Sequence, residues 1–141
     1  MTQESIIKYI SETFDKAQTV SADGNTFFFY GAERNFPFAT LVTNDLYDSF
    51  SDLNRPSVFR LNIGVGKQTF SSLFGSDAAE NNFDFTALNL IMPHPVYGKM
   101  HWVCVLNPDQ ETFQTVRQLL AEAYDKFVQK YSRVKTGRDK L

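Results

Sequence analysis

The residues best equipped for chemistry in this chain of 141 residues fall in two stretches. Val58-Phe59-Arg60-Leu61-Asn62-Ile63 alternates cleanly, which places Arg60 and Asn62 on one face of a strand and Phe59, Leu61 and Ile63 on the other. His94, Tyr97, Lys99 and His101 occupy a loop and the start of the strand that follows it. If the two strands are neighbours, Arg60, Asn62, His94, Tyr97, Lys99 and His101 converge on one cleft. Such a set suits an anion, held by the planar fork of Arg, the point charge of Lys, and Tyr and His as donors. The plainer alternative is that Arg60 pairs with a surface carboxylate while both histidines brace the loop.

Other constellations fall short of a reaction. Gly64-Val65-Gly66-Lys67 follows a strand and precedes a helix, as phosphate loops do. A phosphate loop also needs a glycine at the position of Leu61 and Ser or Thr at the position of Gln68. Both fail, and a strand ending in a glycine turn is the better reading. His94, His101 and Cys104 could supply soft metal ligands, but a regular strand puts His101 and Cys104 on opposite faces. Cys104 sits among Trp102, Val103, Val105 and Leu106, where burial suppresses the thiolate and suits it to filling a core. No Gly-x-Ser-x-Gly elbow is present. Neither a metal nor a cofactor is expected.

The elements that would position these residues can be traced along the chain. Ile6, Ile7, Ile10 and Phe14 lie at helical spacing behind Thr2 as N-cap, which predicts a helix of three turns. Asp23-Gly24 supplies a tight hairpin turn before the strand Thr26–Tyr30, and Phe38–Thr43 forms another strand. Asn44–Ser57 reads as an exposed loop. Gln68–Phe74 predicts a short helix stopped by Gly75, and Ser76–Asn82 a loop. Asp84 can cap a second short helix through Leu90. The prolines and glycine of Met92–Gly98 exclude regular structure, and His101–Leu106 is a buried strand. Asn107 as N-cap, Pro108 at the first position and Gln110 in a capping box open a long helix with the stripe Phe113, Val116, Leu119, Leu120, Ala123, Tyr124 and Phe127. A helix at each end with about five strands and short helices between reads as α+β.

Composition bounds the rest. The length suits one domain, expected over residues 1–132, with a basic tail at 133–141. Residues 126–141 hold six basic groups and one acid, so the preceding 125 residues hold eight basic and 15 acidic groups. That acidic body repels phosphate backbones and leaves nucleic-acid binding to the basic C-terminal end alone. The single cysteine excludes an intramolecular disulfide. Without a secretory signal pattern or an apolar run of membrane-spanning length, a cytoplasmic protein with no membrane partner is expected. The 21 aromatic residues exclude a disordered chain. The run Phe27–Tyr30 cannot all point inward from one strand, so part of it faces a second surface that could await a partner.

Three blocks carry a resemblance: Val58–Gly66, Met92–Tyr97 and Trp102–Pro108 resemble a bacterial family known only as domain of unknown function 6194. A looser likeness is to the MmcQ/YjbR-like proteins, through Phe59–Ile63, Lys99-Met100-His101-Trp102 and Leu119–Val128. That likeness implies an antiparallel sheet with the N- and C-terminal helices on one face, a two-layer, frataxin-like architecture, and for some members DNA binding. The sequence departs from it in Gly64, where a Lys is common, and in its longer loops. The functional expectation is a non-catalytic module for a small, anionic ligand or a protein partner, using the open sheet face or the cleft near Arg60. The alternatives are nucleic-acid binding through the basic end and an enzyme with His94 or His101 as acid or base. The oligomeric state is not legible.

Overall fold

A computed structural model describes residues 1–75 and 82–139, with side chains as far as residue 131. The loop expected over Ser76–Asn82, apart from Asn82, and the tail expected at 133–141 fall outside the described residues or side chains. Helix α1 spans Gln3–Thr13. Its first turn closes as a capping box, with the Thr2 hydroxyl accepting from Ser5 N and Ser5 Oγ accepting from Thr2 N. Strands β1 (Ala17–Ala22) and β2 (Asn25–Tyr30) form a hairpin whose two-residue turn, Asp23-Gly24, has φ of 54° and 81°. That geometry is why the pair had to be Asp-Gly. Strand β3 (Ala39–Val42), β4 (Arg60–Gly64), helix α2 (Lys67–Phe74), β5 (Met92–Pro93), β6 (Trp102–Leu106) and helix α3 (Gln110–Asp139) complete the chain.

The six strands form one antiparallel sheet in the order β1-β2-β3-β4-β6-β5. Register decides the two faces. Phe28 pairs with Ala39, Leu41 with Leu61 and Ile63 with Val103, so all of them point to one side. Ile6, Ile10 and Phe14 around α1, with Phe113, Val116, Leu119, Leu120 and Ala123 of α3, pack on that side and bury all six of those strand residues. The α+β class and both terminal helices on one face are therefore as expected.

The second face departs from a two-layer plan. Val42, Met92, Cys104 and Leu106 point to it and are covered by Leu53, Val58, Phe83 and Phe85. The segment expected as an exposed loop, Asn44–Ser57, thus lies across the sheet and buries Ser51 and Leu53. The sheet face expected to be open is closed over its centre. The Phe27–Tyr30 run divides as its alternation requires. Phe28 enters the helix-side core, while Phe27 meets Tyr47 and Phe29 lies beneath Arg34 on the far side.

Three local expectations are corrected. Asn107 does not cap α3; its backbone is left-handed (φ 42°), and its side chain accepts from Phe59 N and donates to Ser57 O. The cap is Asp109, whose Oδ1 accepts from Thr112 N at 2.8 Å, while Asn89 bonds both Asp109 N and Oδ2. Asp84 opens a turn closed by its own bonds to Thr86 rather than a helix to Leu90. Met92 and Pro93, placed in an irregular segment by their neighbours, pair with β6 as a short edge strand, a place where proline costs no ladder bond.

Candidate functional site

Arg60 opens strand β4 on the second face with only 2% of its surface exposed. A guanidinium so placed must find acceptors for most of its five donors. Nε donates to Asn62 Oδ1 at 2.9 Å, and Nη1 donates to Asp48 Oδ1 at 3.0 Å and Ser51 Oγ at 2.9 Å. Nη2 donates to Asp48 Oδ2 at 2.7 Å. Asn62 in turn donates to Thr40 Oγ1. The Asp48 carboxylate is gripped by both prongs of the fork, so this ion pair staples the loop 44–57 to the sheet. Burial raises the Asp48 carboxyl, and the Arg60 hydrogen bonds and charge outweigh it, leaving its pKa below the usual value.

The remaining Arg60 donor lies 3.5 Å from His94 Nε2. On its other side His94 Nδ1 receives two backbone donors, Val96 N and Tyr97 N, each at 3.0 Å. Those bonds assign Nδ1 as the acceptor, so the neutral ring carries its proton on Nε2, and its approach to Arg60 is a contact between two donors rather than a hydrogen bond. A second proton would break both loop bonds and add charge beside the guanidinium. Burial and then Arg60 push the His94 pKa down to about 3, against a smaller opposing effect of Asp48. His94 is a neutral brace for the loop after β5. Cys104, whose thiol donates to Pro93 O, is fully buried, and burial pushes its thiol up to about 12.

A cavity of about 530 Å3 opens beside this network, between α2 and the segment 93–101. Phe70, Phe83, Phe85, Pro93, Pro95 and Val96 give it apolar walls. Its charged lining groups are Lys67 and Lys99, joined by His101, and no acidic side chain is among the described lining residues. His101 ends the 3-10 turn Gly98–Met100 with a left-handed backbone (φ 68°), one residue before the strand expected to contain it. Its ring stands edge-on to Phe70 at 5.6 Å, and its carbonyl accepts from Val65 N. The glycine turn Gly64–Gly66 is held from α3. Glu122 accepts from Gly66 N at 2.8 Å and bonds the Thr69 hydroxyl, while Lys126 donates to Val65 O. The place where a phosphate loop would seat phosphate is thus filled by the chain's own carboxylate.

The six residues singled out in the sequence therefore separate. Arg60 and Asn62 are joined in the buried network, and Lys99 and His101 line the cavity. His94 belongs to both, while Tyr97 is 52% exposed beside His94 and is not among the lining residues. Asp48, Ser51 and Thr40 were missed, although an Arg on a covered strand face demands a carboxylate and the loop 44–57 offers three aspartates. Lys67, Phe70, Phe83 and Phe85 were missed as cavity residues because three separate segments bring them together.

No described helix is long and apolar enough to cross a membrane. Searches of curated proteins and of solved structures each found no match. The looser likeness to MmcQ/YjbR-like proteins rests on the sequence blocks alone. Over residues 1–136 the chain matches the family of unknown function DUF6194, and it belongs to that family.

Proposed function

We propose that the protein is a non-catalytic binding module that takes a small anion in the cavity between α2 and residues 93–101. One observation carries this reading: Lys67, Lys99 and His101 share a cavity whose described lining holds no carboxylate. Two ammonium groups in one concavity repel each other and lower the free energy of an anion between them. Catalysis by Arg60 and His101 acting together lacks comparable support, because four of the five Arg60 donors are taken by Asp48, Ser51 and Asn62.

Backbone amide chemical shifts offer a direct test. Adding acetate or inorganic phosphate, at ionic strength held constant with sodium chloride, is expected to give saturable shifts at residues 66–71 and 98–101. A Lys67→Gln, Lys99→Gln double variant is expected to lose them. Saturable shifts that persist unchanged in that variant, or none in the wild-type protein, refute the reading.

A further inference from the structure

Charge and apolar surface are not mixed at random in this cavity but segregated along α2. Lys67 begins the helix, and His101 stands at the same end, because its carbonyl bonds Val65 N and its ring meets Phe70. At the other end Phe74 closes the helix and meets Phe83 at 5.9 Å, and Phe83 meets Phe85 at 6.3 Å. The seven-residue step from Lys67 to Phe74 spans roughly 10 Å. The amide of Gly66 at that end is already bonded to Glu122, so an anionic group there is read by Lys67 and His101, with Lys99 on the same cavity lining, rather than by helix N–H groups.

Resting on the anion-binding reading above, we propose that the ligand class is an amphipathic carboxylate. Its carboxylate lies between Lys67, Lys99 and His101, and its acyl or aryl body lies along Phe70 toward Phe83 and Phe85. The volume of about 530 Å3 fits a body of this kind and exceeds what a bare inorganic anion fills.

Binding of acetate, octanoate, 4-phenylbutyrate, octan-1-ol and octylamine to the wild-type protein tests the two halves separately. Octanoate or 4-phenylbutyrate is expected to bind at least tenfold tighter than acetate, with shifts extending from residues 66–71 to Phe83 and Phe85. Octylamine is expected not to bind, and octan-1-ol to bind at least tenfold more weakly than octanoate. Acetate and the longer carboxylates binding equally well would overturn the amphipathic class while leaving anion binding intact. No carboxylate binding while inorganic phosphate still shifts residues 66–71 overturns the carboxylate class alone, and binding of neither anion removes both readings. Octan-1-ol binding as tightly as octanoate overturns the role given to the cationic end. The exposed Lys67→Gln variant is expected to weaken octanoate at least fivefold without changing octan-1-ol, and an unchanged octanoate affinity counts against the proposal.

Discussion

Replacing Asp48 with alanine removes the carboxylate that both prongs of Arg60 hold, and the structure sets the size of the effect. Arg60 is 2% exposed and the Asp48 side chain 8%, so neither charge is screened as a surface ion pair would be. Without Asp48, two of the guanidinium's hydrogen bonds vanish and a full positive charge stays under the loop. Breaking one partner out of a buried pair costs about 3 to 5 kcal/mol. At roughly 0.05 to 0.15 kcal/mol per residue, a chain of this length has about 7 to 20 kcal/mol of total stability. One side chain thus removes a large share of it. Urea unfolding is the assay; with a slope of about 2 kcal/mol per molar, the midpoint is expected to fall by about 2 M. Arg60→Met is expected to cost less, because Asp48 is on a loop and can swing its charge into water, whereas Arg60 is fixed in the middle of the sheet. The double variant Arg60→Met, Asp48→Leu is expected to recover most of the loss, since burying two apolar groups leaves no charge behind. A loss below about 1 kcal/mol for Asp48→Ala would refute the closed second face, because it would mean that water reaches Arg60.

The His94 pKa, depressed to about 3, has a sign that can be checked. Between pH 6.5 and 3 the unfolded chain binds a proton at this residue that the folded chain does not, so stability falls as the pH drops through that window. The slope from this group approaches about 1.4 kcal/mol per pH unit. Urea midpoints from pH 8 to 4.5 measure it, and His94→Gln should flatten the curve; a flat wild-type curve contradicts the buried neutral ring. Gly64→Ala places a Cβ 2.9 Å from Trp102 Cε2, and the displaced indole is expected to cost about 1 to 3 kcal/mol in thermal unfolding. Asp109→Ala removes the N-cap of α3 and is expected to cost about 1 kcal/mol, whereas Asn107→Ala should raise amide exchange at Phe59 without fraying α3.

What the sequence disclosed was local. Thr2 before its helix, Asp23 and Gly24, and Phe74 and Gly75 are local signals that need no knowledge of the rest of the chain. Alternation in Val58–Ile63 likewise assigned both faces of β4 correctly, because period two is a property of the strand itself. The α3 cap shows where this reach ends. Asn107 and Asp109 are equally good capping residues two positions apart. The choice between them is made by Asn89, which bonds Asp109, and by Phe59 and Ser57, which take Asn107. Arg60 raises the same difficulty at larger scale. Its neighbours Asp48 and His94 lie 12 and 34 residues away, so the strand pattern showed that Arg60 faced away from the helices but not that a loop would cover it.

The aromatic richness of the chain has its cause in this second covering. A sheet packed on one side needs one apolar layer, but here loops close the other side as well, and loops fill space poorly unless they carry large side chains. Phe83 and Phe85 do this directly over Met92 and Cys104, and Phe50 reaches Phe85 from the neighbouring loop. Two cores built on opposite faces of one sheet must meet at its edge. They meet at α2: Phe70 belongs to the helix-side core, Phe83 and Phe85 to the loop-side core, and Phe74 touches both Phe70 and Phe83. The cavity lies along that seam, where the two cores do not interlock. Its position therefore follows from the architecture, with His101 packed on Phe70 at its wall and Lys67 and Lys99 among its lining residues.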